Sequence, residues 1–269
     1  MLSYQHIYHA GNLADVHKHA LLARILSYLT QKDKPLSYVE THSGRGLYRL
    51  DADEAVRTGE AAAGIGRAQR EDWFDAAHPL ARAIAKVRNE HGAAAYPGSP
   101  LIAASLLRPQ DSLHFAELHP QEHAALVTAL TAHGARVYRQ DGFKLAQSLL
   151  PPTPRRGMLL IDPSYEVKSD YDRLPGLIAK LHRKWNVGII ALWYPILTDE
   201  RHKPMVAALK RQNLPKAVCH EVGFPAAREG HRMIGSGMFV VNAPFGMAEE
   251  TAYLDDLFGR LGQGPVAND

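Results

Sequence analysis

Apolar positions along the chain alternate between two spacings. Over residues 12–31, Leu21, Ile25 and Leu29 recur every fourth position, the spacing of one helix face. Asn12 stands at its start with Asp15 three places on, a weak capping-box pattern, and Pro35 stops the segment. An apolar strand, LSYVE at 36–40, comes next and runs into a tight turn, THSGRG at 41–46. From residue 112 onward the alternation becomes regular. Strands are predicted at 112–118, 135–140, 156–162 and 187–194, and helices at 120–134, 142–150, 169–185 and 199–212. Two further strands, 216–222 and 237–243, precede a last helix at 248–261. Strands separated by helices imply an α/β fold with a mainly parallel, Rossmann-like sheet of seven strands covered on both faces. The last two strands imply an antiparallel edge hairpin.

One block breaks this rhythm. Residues 51–110 are rich in Ala, Arg and Glu and show no convincing strand. We read 51–92 as a helical insertion subdomain, with 1–50 and 93–269 forming the main domain. The insertion is either a substrate-binding appendage or a packed structural elaboration.

Composition narrows the class. Hydrophobic residues are 46% and charged residues 22%, which excludes a disordered tail or a collagen-like chain. The single cysteine, Cys219, makes no internal disulfide and no zinc cluster, and reads as a small buried hydrophobe. The first residues carry no apolar core of signal-peptide length, and the longest apolar run, 188–197, is too short for a bilayer. We therefore expect a cytoplasmic protein with no membrane partner. No segment demands a second chain, so a monomer is expected. The net charge is only +3, but its distribution is informative. Arg201, Lys203, Lys210, Arg211 and Lys216 run without an intervening acid, and Arg228, His231 and Arg232 form a second cluster. Such patches suit a phosphate backbone. Of the 15 histidines, four (His6, His9, His17 and His19) fall in the first 19 residues. Side chains two apart on a helix diverge, and no acidic ligand is patterned with these histidines, so no metal is expected.

The candidate chemistry lies at strand ends. Glu40 closes the first strand and the turn holding His42, Gly44 and Gly46 follows, the place where a doubly wound sheet receives a nucleotide-like ligand. The third glycine of a dinucleotide fingerprint is missing, which favours a nucleoside without a pyrophosphate. Glu117 ends the next strand and can accept hydrogen bonds from ribose hydroxyls; Asp141-Gly142 ends the one after. The fourth strand delivers Asp162, Pro163, Ser164 and Tyr165. Amino groups on nucleobases are poor nucleophiles because the nitrogen lone pair is delocalised into the ring. Asp162 and the Pro163 carbonyl can each accept an N–H and leave that lone pair facing an electrophile, while Tyr165 stacks on a base turned out of its helix.

Asp162-Pro163-Ser164-Tyr165 resembles the [D/N/S]-P-P-[Y/F/W] motif of S-adenosylmethionine-dependent amino-methyltransferases. The opening string MLSYQHIYHAGNLADVHKH, with THSGRG, RTGE (57–60), YPGSP (96–100), ELHP, DGF, RRGMLLIDPSYE and ALWYP, is similar to bacterial 23S ribosomal RNA adenine-N6 methyltransferases of the RlmJ type. These blocks run in register from residue 1 to about 240. The resemblance implies a class I methyltransferase sheet with a helical insertion after the first strand, S-adenosylmethionine as cofactor and 23S ribosomal RNA as partner. It places His19, His42, Ser99, Glu117, Asp141 and Gly142 against the cofactor, with Lys18 lining the same pocket, and makes Asp162 catalytic. It assigns Tyr4 to holding the RNA, with His6 beside it. The family's second proline is replaced here by Ser164, which puts the rigidity of the turn in question. DNA adenine methylation, or a non-catalytic nucleic-acid-binding role in handling external DNA, are the alternatives.

Overall fold

The structure, a computed structural model, describes residues 5–228 and 230–262; Tyr4 lies outside the described residues. In chain order the strands are β1 (Ser37–Glu40), β2 (Leu47–Arg49), β3 (Ala95–Pro97), β4 (Ser112–Ala116), β5 (Arg136–Tyr138), β6 (Gly157–Ile161), β7 (Ile189–Leu197), β8 (Val218–Gly223) and β9 (Met233–Val241). The α-helices are α1 (Leu13–Thr30), α2 (Asp53–Thr58), α3 (Glu60–Ala63), α4 (Ile65–Arg70), α5 (Pro79–His91), α6 (Ser99–Leu106), α7 (Pro120–Leu130), α8 (Gly142–Leu149), α9 (Asp170–Lys184), α10 (His202–Arg211) and α11 (Met247–Gly259).

Among the described residues, seven strands form one sheet in the order β5-β4-β1-β6-β7-β9-β8. The first five are parallel, and β9 runs antiparallel between β7 and β8. The order reverses between β1 and β6, so the crevice where an α/β sheet binds its ligand opens at their carboxyl ends. Successive residues of the central strands serve opposite faces. Met158 and Leu160 of β6 join the core under α1, α5 and α6, while Leu159 and Ile161 join the one under α9 and α10. Burial on both faces explains why these strands read as unbroken apolar runs.

Asn12 caps α1 as its position suggested, its side chain accepting the Asp15 N–H at 2.9 Å. The helix is buried nearly all round, and Asp15, His17, Lys18 and His19 are inside with the leucines. Two expectations need correction. Residues 51–110 are not free of strand: β3 pairs antiparallel with β2 and closes off α2–α5. These two strands have three residues each, too short to show a period. The helices of 51–92 share the main core, Trp73, Leu80, Ile84 and Val87 clustering with Leu21, Leu22 and Ile102. The strand expected at 237–243 begins at Met233 and runs through Gly235 and Gly237. Their role is close approach: a Cβ on Gly237 would lie 2.2 Å from the Tyr194 ring.

Candidate active site

A cleft of about 440 Å³ opens at the carboxyl ends of β1 and β6. On the β6 side Ile161 hands the chain to Asp162, Pro163, Ser164 and Tyr165, all of which line the cleft. Tyr165 has φ +57°, a conformation that costs a bulky L-residue roughly 1–2 kcal/mol. It is held there by a hydrogen bond from its hydroxyl to the Trp193 carbonyl (2.7 Å) and by its ring packing on Tyr171 at 4.6 Å between centroids. Burial pushes its phenol well above the ordinary range, so it stays protonated and donates. Ser164, the departure from the family motif, is solvent-exposed.

Asp162 is met from across the cleft by α1. Lys18 Nζ donates to Asp162 Oδ2 at 2.8 Å and lies 3.1 Å from Asp15 Oδ1. Asp15 also takes the Gly11 N–H at 2.9 Å and His6 Nε2 at 2.8 Å. Burial alone would raise the Asp15 carboxyl, but His6, Lys18 and His19 around it hold it well below the usual range. His6, Lys18 and His19 all line the cleft. His19 Nδ1 lies 2.9 Å from the Tyr96 hydroxyl, and burial lowers its imidazole to about 3, so it is neutral. Lys18 was assigned to the cofactor side, and its observed partner is Asp162.

The β1 side supplies the turn. Glu117 Oε2 accepts the Gly44 N–H at 2.8 Å and its Oε1 accepts the His119 N–H at 2.7 Å. Each oxygen keeps a second lone pair for a hydroxyl. Burial raises the Glu117 carboxyl. Asp141 caps α8, its Oδ1 accepting from Phe143 and Lys144 N–H groups at 2.8 and 3.1 Å. Gly142 is required by close approach, since a Cβ there would lie 1.7 Å from the Thr41 carbonyl oxygen. His42 packs edge-on against Phe143, and burial lowers it to about 4. Gly44, His42, Ser99, Glu117, Asp141 and Gly142 all line the cleft. Glu40 and Gly46 do not reach it. The Glu40 carboxylate turns inward to the Ser99 hydroxyl (2.6 Å) and the Tyr38 hydroxyl (2.9 Å), and burial raises it to about 8.

The β1 half of the cleft fits a nucleoside-bearing cofactor. It offers a backbone turn with no side chain in the way at Gly142, acceptors at Glu117 and Asp141, and the buried Ser43 hydroxyl, which has no partner among the described residues. No group of His, Cys, Asp and Glu suited to a metal occurs among the described residues. Two contributors were missed from sequence. Asp15 was read only as a cap partner, although Asp15, Lys18 and His19 at i, i+3 and i+4 share a helix face. Trp193 lines the cleft beneath Lys18, but within an apolar strand nothing singled it out. The two basic clusters meet at the rim. Leu197 and Met233 pair across β7 and β9 on the cleft wall, and just beyond them Asp199 binds both Arg201 and Arg232.

Comparison with known proteins gives this arrangement a family. The sequence profile described as ribosomal RNA large subunit methyltransferase D, RlmJ, matches residues 33–263. The chain belongs to that family. A relative from Escherichia coli (strain K12) described as ribosomal RNA large subunit methyltransferase J is 40% identical over 252 residues, 93% of this chain and 90% of that one. One of the same description from Haemophilus influenzae is 38% identical over 250 residues, covering 91% and 88%. A crystal structure of a protein from Legionella pneumophila superposes with a TM-score of 0.84 at 33% identity, covering 94% of each chain. The fold is thus shared with that solved structure, and no helix among the described residues is long and apolar enough to cross a membrane.

Proposed function

We propose that the protein transfers a methyl group from S-adenosylmethionine to N6 of an adenine in 23S ribosomal RNA. The observation that carries this reading is the turn 162–165 at the end of β6. It sets a carboxylate, the Pro163 carbonyl and an aromatic ring on one side of a cleft whose other side can hold a nucleoside. As an RlmJ-family member the protein is an S-adenosylmethionine-dependent RNA methyltransferase. The cofactor supplies a methyl already bonded to a positively charged sulfur, so the protein's task is to position rather than to activate. Glu117 and Asp141 hold it through hydroxyl and amine contacts, with Ser43, His42 and Ser99 around them. Asp162 and the Pro163 carbonyl accept the two N6 hydrogens and aim the nitrogen lone pair across the cleft. Tyr165 supports the plane of a base turned out of its stack. Tyr4 and His6 take the RNA side. After transfer the proton leaves through Asp162 to solvent. The enzyme acts as a monomer in the cytoplasm, where its RNA is assembled.

The test is transfer of labelled methyl to deproteinised 23S RNA, with DNA as competitor and Asp162→Ala alongside. The expected result is N6-methyladenine in RNA, reduced by about 10²-fold or more in the variant while the cofactor still binds. Label on DNA alone would overturn the substrate, and full activity of Asp162→Ala would overturn the site.

A further inference from the structure

Two buried histidines have no part in the transfer just described. His17 of α1 is fully buried and His220 of β8 is 6% exposed. His17 Nε2 lies 2.9 Å from His220 Nδ1. On one side, His17 Nδ1 lies 2.8 Å from Ser236 Oγ, which lies 2.9 Å from Trp193 Nε1. On the other, His220 Nε2 lies 3.0 Å from Asp255 Oδ1 on α11, whose side chain is exposed. Five groups thus form an unbroken line from the cleft wall to the surface.

The two ends fix its direction. An indole N–H only donates, so Ser236 Oγ accepts from Trp193. A carboxylate only accepts, so His220 Nε2 carries a proton and donates to Asp255. A neutral His220 then presents a lone pair at Nδ1 and accepts from His17 Nε2–H. Burial and the neighbouring His220 hold His17 well below its ordinary range, so His17 is neutral, and with its proton on Nε2 its Nδ1 accepts from the Ser236 hydroxyl. With both imidazoles neutral, every donor along the line meets an acceptor when both are Nε2–H tautomers.

The inner end of this line sits beside the reacting groups. The Trp193 ring lies 5.1 Å beneath the Lys18 ammonium, and Lys18 pairs with Asp162. The Trp193 ring meets the Tyr165 ring edge to face, 6.2 Å between centroids, and the Trp193 backbone carbonyl accepts the Tyr165 hydroxyl. One residue therefore touches both side chains that flank Asp162. The second torsion of a tryptophan is broad and soft, so an indole without an anchor at Nε1 can swing. We propose that Trp193 is a positioning residue that holds Lys18 and Tyr165 about Asp162, and that the Ser236–His17–His220–Asp255 relay fixes its indole. This inference rests on the reading of Asp162 and Tyr165 as the groups that grip the target base.

The test has two arms. The first needs no RNA. Nitrogen-15 spectra of the full protein should show His17 and His220 as Nε2–H tautomers, with a slowly exchanging Trp193 indole proton. Ser236→Ala should move that indole signal and speed its exchange. Asp255→Ala, at the exposed end where the core is undisturbed, should move it the same way. A His17 Nδ1–H tautomer, or an indole signal indifferent to Asp255→Ala, overturns the relay. The second arm measures methyl transfer. Trp193→Phe and Ser236→Ala should each lower kcat by about tenfold, the worth of one hydrogen bond. The KM for S-adenosylmethionine should stay within about twofold, and the double variant should be no slower than Trp193→Phe alone. Additive losses or an unchanged kcat overturn the positioning role. Wild-type protein that transfers no methyl to RNA would fail the functional reading instead, and the spectra would still decide the relay.

Discussion

Lys18 donates to Asp162 Oδ2, an oxygen that the proposed function would offer to an exocyclic amine, so Asp162 is already oriented. Because Asp15 holds the same ammonium at 3.1 Å, Lys18 can yield Asp162 Oδ2 to a substrate without losing its own countercharge. Lys18→Met would leave two carboxylates facing one another with no cation between them. It should lower kcat by about tenfold or more with cofactor affinity retained, as steady-state kinetics and calorimetric titration would show. Glu40 supplies a second prediction. Its folded-state value of about 8 lies above the ordinary 4.5, so between those values the folded protein holds a proton that the unfolded chain releases. Its contribution to stability is therefore present at acid pH and lost as pH rises toward 8. Glu40→Gln, an imitation of the protonated form, should lose less melting temperature than wild type between pH 6 and 9. Parallel curves would refute the shift. The buried imidazoles of His19 and His42 act oppositely. Their lowered values favour the fold above about pH 6.5, and that contribution fades as pH falls toward 4 and 3. At this scale the sequence revealed which residues are polar and at strand ends, but not which way they turn. Glu117 and Glu40 look alike in the chain, yet one braces the turn beside the cleft and the other faces Ser99 and Tyr38 behind it.

Among the elements, the long ones were legible and the short ones were not. α1, α7, α9 and the central strands carry enough turns or apolar run to declare themselves, and β6 was found to within a residue at each end. β2 and β3 were lost because three residues carry no period, and the start of β9 was lost because glycine there means close packing rather than a turn. The junction of β1, the 41–46 turn and α8 is the tightest in the site. Gly142→Ala would drive a methyl into the Thr41 backbone carbonyl, which cannot give way as a flexible side chain would. Urea denaturation should show a loss of roughly 3 kcal/mol or more, or no cooperative fold at all. Gly134→Ala, where a Cβ meets nothing within 4 Å, should cost no more than the strain of its φ of +63°.

For the whole molecule, the net charge of +3 is too small to explain attraction to RNA, but the rim charges are gathered by the fold. Arg201 and Arg232, 31 residues apart in sequence, share Asp199 beside the cleft. If such side chains neutralise about three phosphates, raising monovalent salt from 50 to 200 mM should increase the RNA KM roughly tenfold or more. Cofactor affinity should barely change. An RNA KM indifferent to salt would place the RNA elsewhere. The same gathering over distance governs how the enzyme comes into being. Lys18 meets Asp162 across 144 residues and His17 meets Ser236 across 219. A ribosome delivers α1 first and β9 nearly last. The growing chain therefore exposes the buried charges of α1 long before their partners exist, and the site is incomplete until β9 has emerged.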